Sequence, residues 1–183
     1  PGAFYKGLLL PLCASGNCTV REAVIWSSLL ARVSIPVLHS SVAIMKIAEM
    51  PYSGVNSFFL SQLLNKKYAL PHRVIDTLVE HFVKFENEDR ALPVVWHQAL
   101  LTFIQRYHFD IRAEDKQRLK GAIKAHHHYL LTSEIKREIG LGRSRGEKPT
   151  GDTSMKILDP MVLGTASREN PRELPAVVMD ESI

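Results

Sequence analysis

Leu70-Pro71-His72-Arg73-Val74-Ile75-Asp76-Thr77-Leu78-Val79-Glu80-His81-Phe82-Val83-Lys84 is the stretch from which the fold class follows. Its apolar residues Val74, Ile75, Leu78, Val79, Phe82 and Val83 recur at i, i+1, i+4, i+5, i+8 and i+9, which is one broad stripe at helical period. Asp76, Glu80 and Lys84 fall on the opposite, exposed side. Pro71 suits the first helical position, because the amide hydrogen it lacks has no intrahelical partner there. The same opening recurs at Ile35-Pro36-Val37-Leu38 and at Leu92-Pro93-Val94-Val95-Trp96. Three such starts imply consecutive helices joined by short connections, with little room for strands.

Working outward, Thr19 with Glu22 three residues on predicts a capping box. The helix that follows is expected to bury Val20, Ala23, Val24, Ile25, Trp26, Leu29 and Leu30. Residues 37–50 are apolar around most of their circumference, which predicts a helix covered on several sides at the centre of the stack. Ser53 caps a helix through Asn65. The fourth helix is the one quoted first, and the fifth runs from Pro93 to Tyr107, with Trp96, Leu100, Phe103, Ile104 and Tyr107 inward. A less apolar helix spans about 113–126, and a short one starts at Thr132 or Ser133. Helix starts lie about 16–22 residues apart, so two make a unit of about 35–40, the range of helix-pair solenoids. The expected fold is all-α: stacked antiparallel helix pairs in a HEAT/TPR-like α-solenoid over residues 1–139, with a Gly/Arg-containing linker and irregular extended tail over 140–183.

The 183 residues, 45% of them hydrophobic, suffice for one real core. No apolar run approaches the roughly 18 residues of a membrane span, so no membrane partner is expected. Pro1-Gly2-Ala3-Phe4 lacks a methionine and a signal-peptide layout, and residues 3–12 read as a helix entered partway, as in a piece of a longer protein. Cys13 and Cys18, without a second pair, make no zinc site and read as free thiols.

The net charge of +4 is unevenly spread: residues 111–150 hold ten basic and five acidic side chains, residues 151–183 three basic and six acidic. Arg112, Lys116, Lys120 and Lys124 are spaced four apart, hence on one side of the sixth helix, with Arg118, Lys136 and Arg137 adding charge nearby. A phosphate backbone would relieve their mutual repulsion and release counterions. An ordinary solvated lysine face fits the same pattern. His126-His127-His128 points in divergent directions with no ligand partner at suitable spacing, so it reads as a helix end and not a metal site. His39 beside Ser40, and His97 beside Gln98, diverge by about 100 degrees along a helix and make no dyad by adjacency. Neither an enzyme nor a cofactor is expected, and Trp26 and Trp96 read as core.

Gly7-Leu8-Leu9-Leu10-Pro11-Leu12-Cys13 running into Ser15-Gly16-Asn17-Cys18-Thr19-Val20-Arg21-Glu22-Ala23, Ser34-Ile35-Pro36-Val37-Leu38-His39-Ser40-Ser41, Lys46-Ile47-Ala48-Glu49-Met50, Asn65 to Pro71, and Leu92-Pro93-Val94-Val95-Trp96-His97-Gln98 follow one another in order. Together these stretches resemble the bystin family of small-subunit ribosome assembly factors. The likeness covers residues 3 to about 110 and fades from 111 to 139. It implies a non-catalytic, all-helical scaffold that binds small-subunit pre-rRNA and the pre-ribosomal particle, beside ribosomal proteins of the subunit head and other assembly factors, without a small-molecule substrate. It also implies a nucleolar and nuclear location, with a late cytoplasmic pool on the pre-ribosome. The alternative from the residues alone is an α-helical protein–protein adaptor with no direct RNA contact.

Overall fold

In the computed structural model, which describes residues 2–147, Thr19 Oγ1 accepts the Glu22 amide at 3.3 Å while the Glu22 carboxylate accepts the Thr19 amide at 2.8 Å. The reciprocal pair satisfies two otherwise orphaned donors and starts α3 (Val20–Arg32). Ahead of it lie α1 (Gly2–Phe4), a π turn (Tyr5–Leu9) and α2 (Leu10–Ser15). The π turn, closed by the Leu10 amide on the Tyr5 carbonyl, stands just before Pro11, where a regular α-turn would set the proline ring against a carbonyl four residues back. There follow α4 (Val37–Glu49), α5 (Gly54–Asn65), α6 (His72–Val83), α7 (Val94–Tyr107), α8 (Ala113–Ala125) and α9 (Leu131–Gly140). Among the described residues there is no strand, so the all-α expectation holds.

Pro36, Pro71 and Pro93 sit one residue before their helices, at the N-cap, with ψ between 140° and 159°. That differs from the first helical position by one residue, and the reason proline is tolerated is the same: neither position has a helical partner for an amide hydrogen.

The α6 stripe is buried as its period predicts: Val74, Ile75, Leu78, Val79 and Phe82 face the core. On α7, Trp96, Leu100, Phe103, Ile104 and Tyr107 do the same. Phe82 bridges the two helices, edge-on to Trp96 with centroids 5.8 Å apart and stacked on Phe103 at 5.7 Å. Burying rings of this size contributes about 1.5–3 kcal/mol each.

The expectation fails on α3 and α4. Ala23, Ser27 and Leu30 are the buried residues of α3, while Val20 is 75%, Val24 50%, Ile25 65% and Leu29 41% exposed. On α4, Val37, Leu38 and Val42 are exposed as well, so this helix is not covered all round at the centre. Each of the two presents one face to the described stack, and an apolar circumference does not reveal which face that is.

Close backbone approach follows alternate helices. Helix α3 packs on α5, α5 on α7 and α7 on α9; α2 packs on α4, α4 on α6 and α6 on α8. Consecutive helices also touch at α4–α5 and α8–α9. The turns therefore gather at two edges. At one, Tyr68 Oη donates to the Ile35 carbonyl (3.0 Å), Tyr107 Oη to the Tyr68 carbonyl (2.9 Å) and the Arg145 amide to the Ile111 carbonyl (2.9 Å). At the other, His81 Nδ1 donates to the Ala48 carbonyl (2.8 Å), and His126 Nε2 to the Phe85 carbonyl (2.6 Å).

Candidate nucleic-acid interface

The cations singled out on α8 and α9 meet different fates. Arg112, at the N-cap of α8, donates to Asp76 of α6 at 2.9 Å and to Glu114 at 3.3 Å. Arg118 grips Glu80 of α6 through both terminal nitrogens, at 2.5 and 2.8 Å, and also reaches Asp115 at 3.2 Å. The hydrogen bonds from Arg118 hold the Glu80 carboxyl below its ordinary range. Lys116 is 5% exposed and donates to the Arg143 carbonyl at 3.3 Å; burial pulls its pKa down. Arg137 is taken by Glu134 and Glu138. Lys120 is half-buried, and Lys124 and Lys136 are exposed with no carboxylate within 4 Å among the described residues.

The spacing of four thus brought Lys116, Lys120 and Lys124 to one helix, but much of the charge there serves the α6–α8 junction. The partner carboxylates lie 36 to 38 residues away in sequence, which is why the helix read in isolation does not reveal them. Residues 141–147 return to the same junction: Arg145 pairs with Asp76 at 2.6 Å, and Gly142 backs onto Phe109. The tail from 148 onward lies outside the described residues.

A hollow of about 670 Å³ opens at the other edge, lined by Glu86, Glu88, Asp89, His97, His126 and His128 among others. Three of its imidazoles, those of His97, His126 and His128, are structural. His97 Nε2 donates to the His126 carbonyl at 3.0 Å, His126 is buried and tied to Phe85, and His128 Nδ1 accepts the Leu130 amide at 3.3 Å. The triplet is the helix end the sequence suggests, with His126 the buried C-cap of α8, His127 exposed and His128 half-buried. Among the described residues no three His, Cys, Asp or Glu side chains are grouped to hold a metal ion. Cys13 and Cys18 are free, and burial pushes the Cys13 thiol up to about 12.

Sequence reasoning passed over a second basic surface. Arg32, Lys67, Arg73 and Arg106 are exposed at the edge where Tyr68 and Tyr107 tie the turns together, beside the exposed ring of Phe109. They are scattered over 75 positions, and only the alternate stacking of helices brings them to one side.

The family model described as Bystin matches residues 1–149. The chain belongs to the bystin family. Its match runs on through 111–149, where the motif likeness fades. A bystin from Monosiga brevicollis is 56% identical over 155 residues, 84% of this chain and 37% of the relative. One from Arabidopsis thaliana is 47% identical over 184 residues, 99% of this chain and 39% of the relative. The human bystin is 56% identical over 139 residues, 76% of this chain and 32% of the relative. This bystin-family chain thus spans about a third of the length of the curated relatives it matches.

Proposed function

We propose that the chain is part of a non-catalytic assembly factor of the small ribosomal subunit, holding pre-rRNA and assembly-stage proteins in register. Membership of the bystin family along the whole helical body is the observation that carries this reading. In it, the alternate rows of helices are successive layers of an α-solenoid, whose apolar faces are consumed in packing and whose outer edges do the work. Its partners are the small-subunit precursor, ribosomal proteins of the head and other assembly factors, and it works in the nucleolus and nucleus with a late cytoplasmic pool on the particle. No helix among the described residues is long and apolar enough to cross a membrane.

The test is depletion of the full-length protein, followed by probing of pre-rRNA. Small-subunit precursors accumulate while large-subunit rRNA matures normally; balanced loss of both subunits, or of neither, refutes the reading. A second reading, a helical adaptor that touches protein alone, is favoured by the pairing of Arg112, Arg118 and Arg137 with carboxylates and by the burial of Lys116. It predicts association with the particle's proteins that survives nuclease and changes little with salt.

A further inference from the structure

Arg32, Lys67, Arg73 and Arg106 differ from the arginines of residues 112–145 that are held by carboxylates. None lies within 4 Å of one among the described residues, whereas Arg112, Arg118, Arg137 and Arg145 each do. Between Glu22 and Asp76 the single acidic residue is Glu49, and it ends α4 at the opposite edge. The acidic groups that do face this edge, Asp76, Asp110 and Glu114, stand toward its α8 end, and Asp76 is already shared by Arg112 and Arg145. Stacked helices lie about 8–10 Å apart, so the ends of α3, α5 and α7 spread these charges over about 20 Å.

The neighbouring side chains fix the edge instead of competing for a ligand. Lys66 Nζ donates to the Leu30 carbonyl at 2.7 Å and the Val33 carbonyl at 2.8 Å, closing the end of α3. Tyr68 and Tyr107 spend their hydroxyls on the preceding turns, at the Ile35 and Tyr68 carbonyls. Lys67 itself holds φ at 57°, just past the end of α5, where glycine is the favoured residue. A lysine kept in that conformation directs a long cationic side chain outward at a conformational cost. At the α7 end, Phe109 is 60% exposed, with the His108 ring tilted against it at 41° and 4.0 Å between centroids, and the Gly142 backbone against its rim. An anchored ring with an open flank next to unpaired cations suits an unpaired nucleotide strand, whose phosphates and base faces need those two groups.

We propose that this edge is an RNA-contact site, where Arg32, Lys67, Arg73 and Arg106 take the phosphate backbone of a single strand and Phe109 stacks on a base. The inference rests on the scaffold reading and gives its RNA contact an address away from the α8 lysines.

The experiment measures binding of the full-length protein to a labelled single-stranded oligouridine of about 20 nucleotides, and to a duplex of the same length, across a salt series. Removing three phosphate contacts with Lys67→Gln, Arg73→Gln and Arg106→Gln together flattens the log–log salt slope on the single strand by about 2 and weakens binding roughly 100-fold near 0.1 M salt. Phe109→Ala costs about 5- to 100-fold on the single strand and leaves the duplex unchanged. Unchanged melting of both variants shows that the fold is intact. If the slope instead drops with Lys124→Gln/Lys136→Gln and not with the triple variant, the edge is overturned while the RNA-scaffold reading stands. If the unmutated protein binds neither probe in a salt-dependent way, the RNA reading fails and the inference with it.

Discussion

His81 is 6% exposed near the end of α6, with its Nδ1 hydrogen given to Ala48 and its Nε2 without a hydrogen-bond partner among the described residues. Burial, helped by the charge of Lys84 and opposed by the Ala48 hydrogen bond, holds its pKa down to about 4. The unfolded chain binds that proton near pH 6.5. Stability from the neutral ring is therefore complete above about pH 6.5 and drains as pH falls toward 4, by about 3 kcal/mol in all. His81→Asn can retain a donor for Ala48 without titrating, so urea unfolding should show a shallower loss of stability between about pH 7 and 4.5 than in the unmutated chain; equal slopes would place the acid sensitivity elsewhere. Gly142 presents a different constraint. Its φ is 70°, and an added Cβ would stand 2.5 Å from the Phe109 ring, so Gly142→Ala should lower thermal stability by about 1–2 kcal/mol. Lys67→Gly has the opposite sign. Relief of the left-handed strain should raise the melting point by the equivalent of about 1 kcal/mol while RNA affinity falls, a split that a merely structural lysine would not produce.

At the scale of elements, α6 and α8 are joined by charge as well as by packing. Asp76 accepts from Arg112 and Arg145, and Glu80 from Arg118. Asp76 is about one-third exposed, so solvent screens the pair. Asp76→Asn should cost about 1 kcal/mol at low salt, and the difference should shrink in about 1 M salt; a loss that ignores salt would mean packing, not charge, joins the helices. This junction also marks the limit of what periodicity conveys. The α6 and α7 stripes were legible because each carries a clear polar side, and the Thr19 and Ser53 caps because their partners are within three residues. The exposure of Val20, Ile25 and Leu38 was not, since helices apolar all round carry no mark of which side is covered. The occupation of Arg112 and Arg118 was equally hidden, because a residue four places away is visible along a helix and one 38 places away across it is not. For the same reason the edge cations escaped notice: their neighbourhood exists in the stacking alone.

For the described body as a whole, the α-solenoid proposed above would make stability a sum over neighbours. Helix α7 is held on two sides, by α5 and by α9, and carries the Trp96–Phe82–Phe103 cluster. Helix α3 packs on α5 alone among these rows and leaves Val20, Val24, Ile25 and Leu29 in water. Local opening of α3 therefore gives up far less buried apolar surface than opening of α7, and its free energy falls below that of global unfolding. Hydrogen exchange on this chain should show α3 amides exchanging at least about tenfold faster than those of α7, with α5 between them. The same ordering should survive mild denaturant, because each layer's protection tracks the neighbours it still has. Equal protection of α3 and α7 would mean that the helices open as a single block, and a stack of semi-independent layers would then be the wrong description of how the body holds its edges in place.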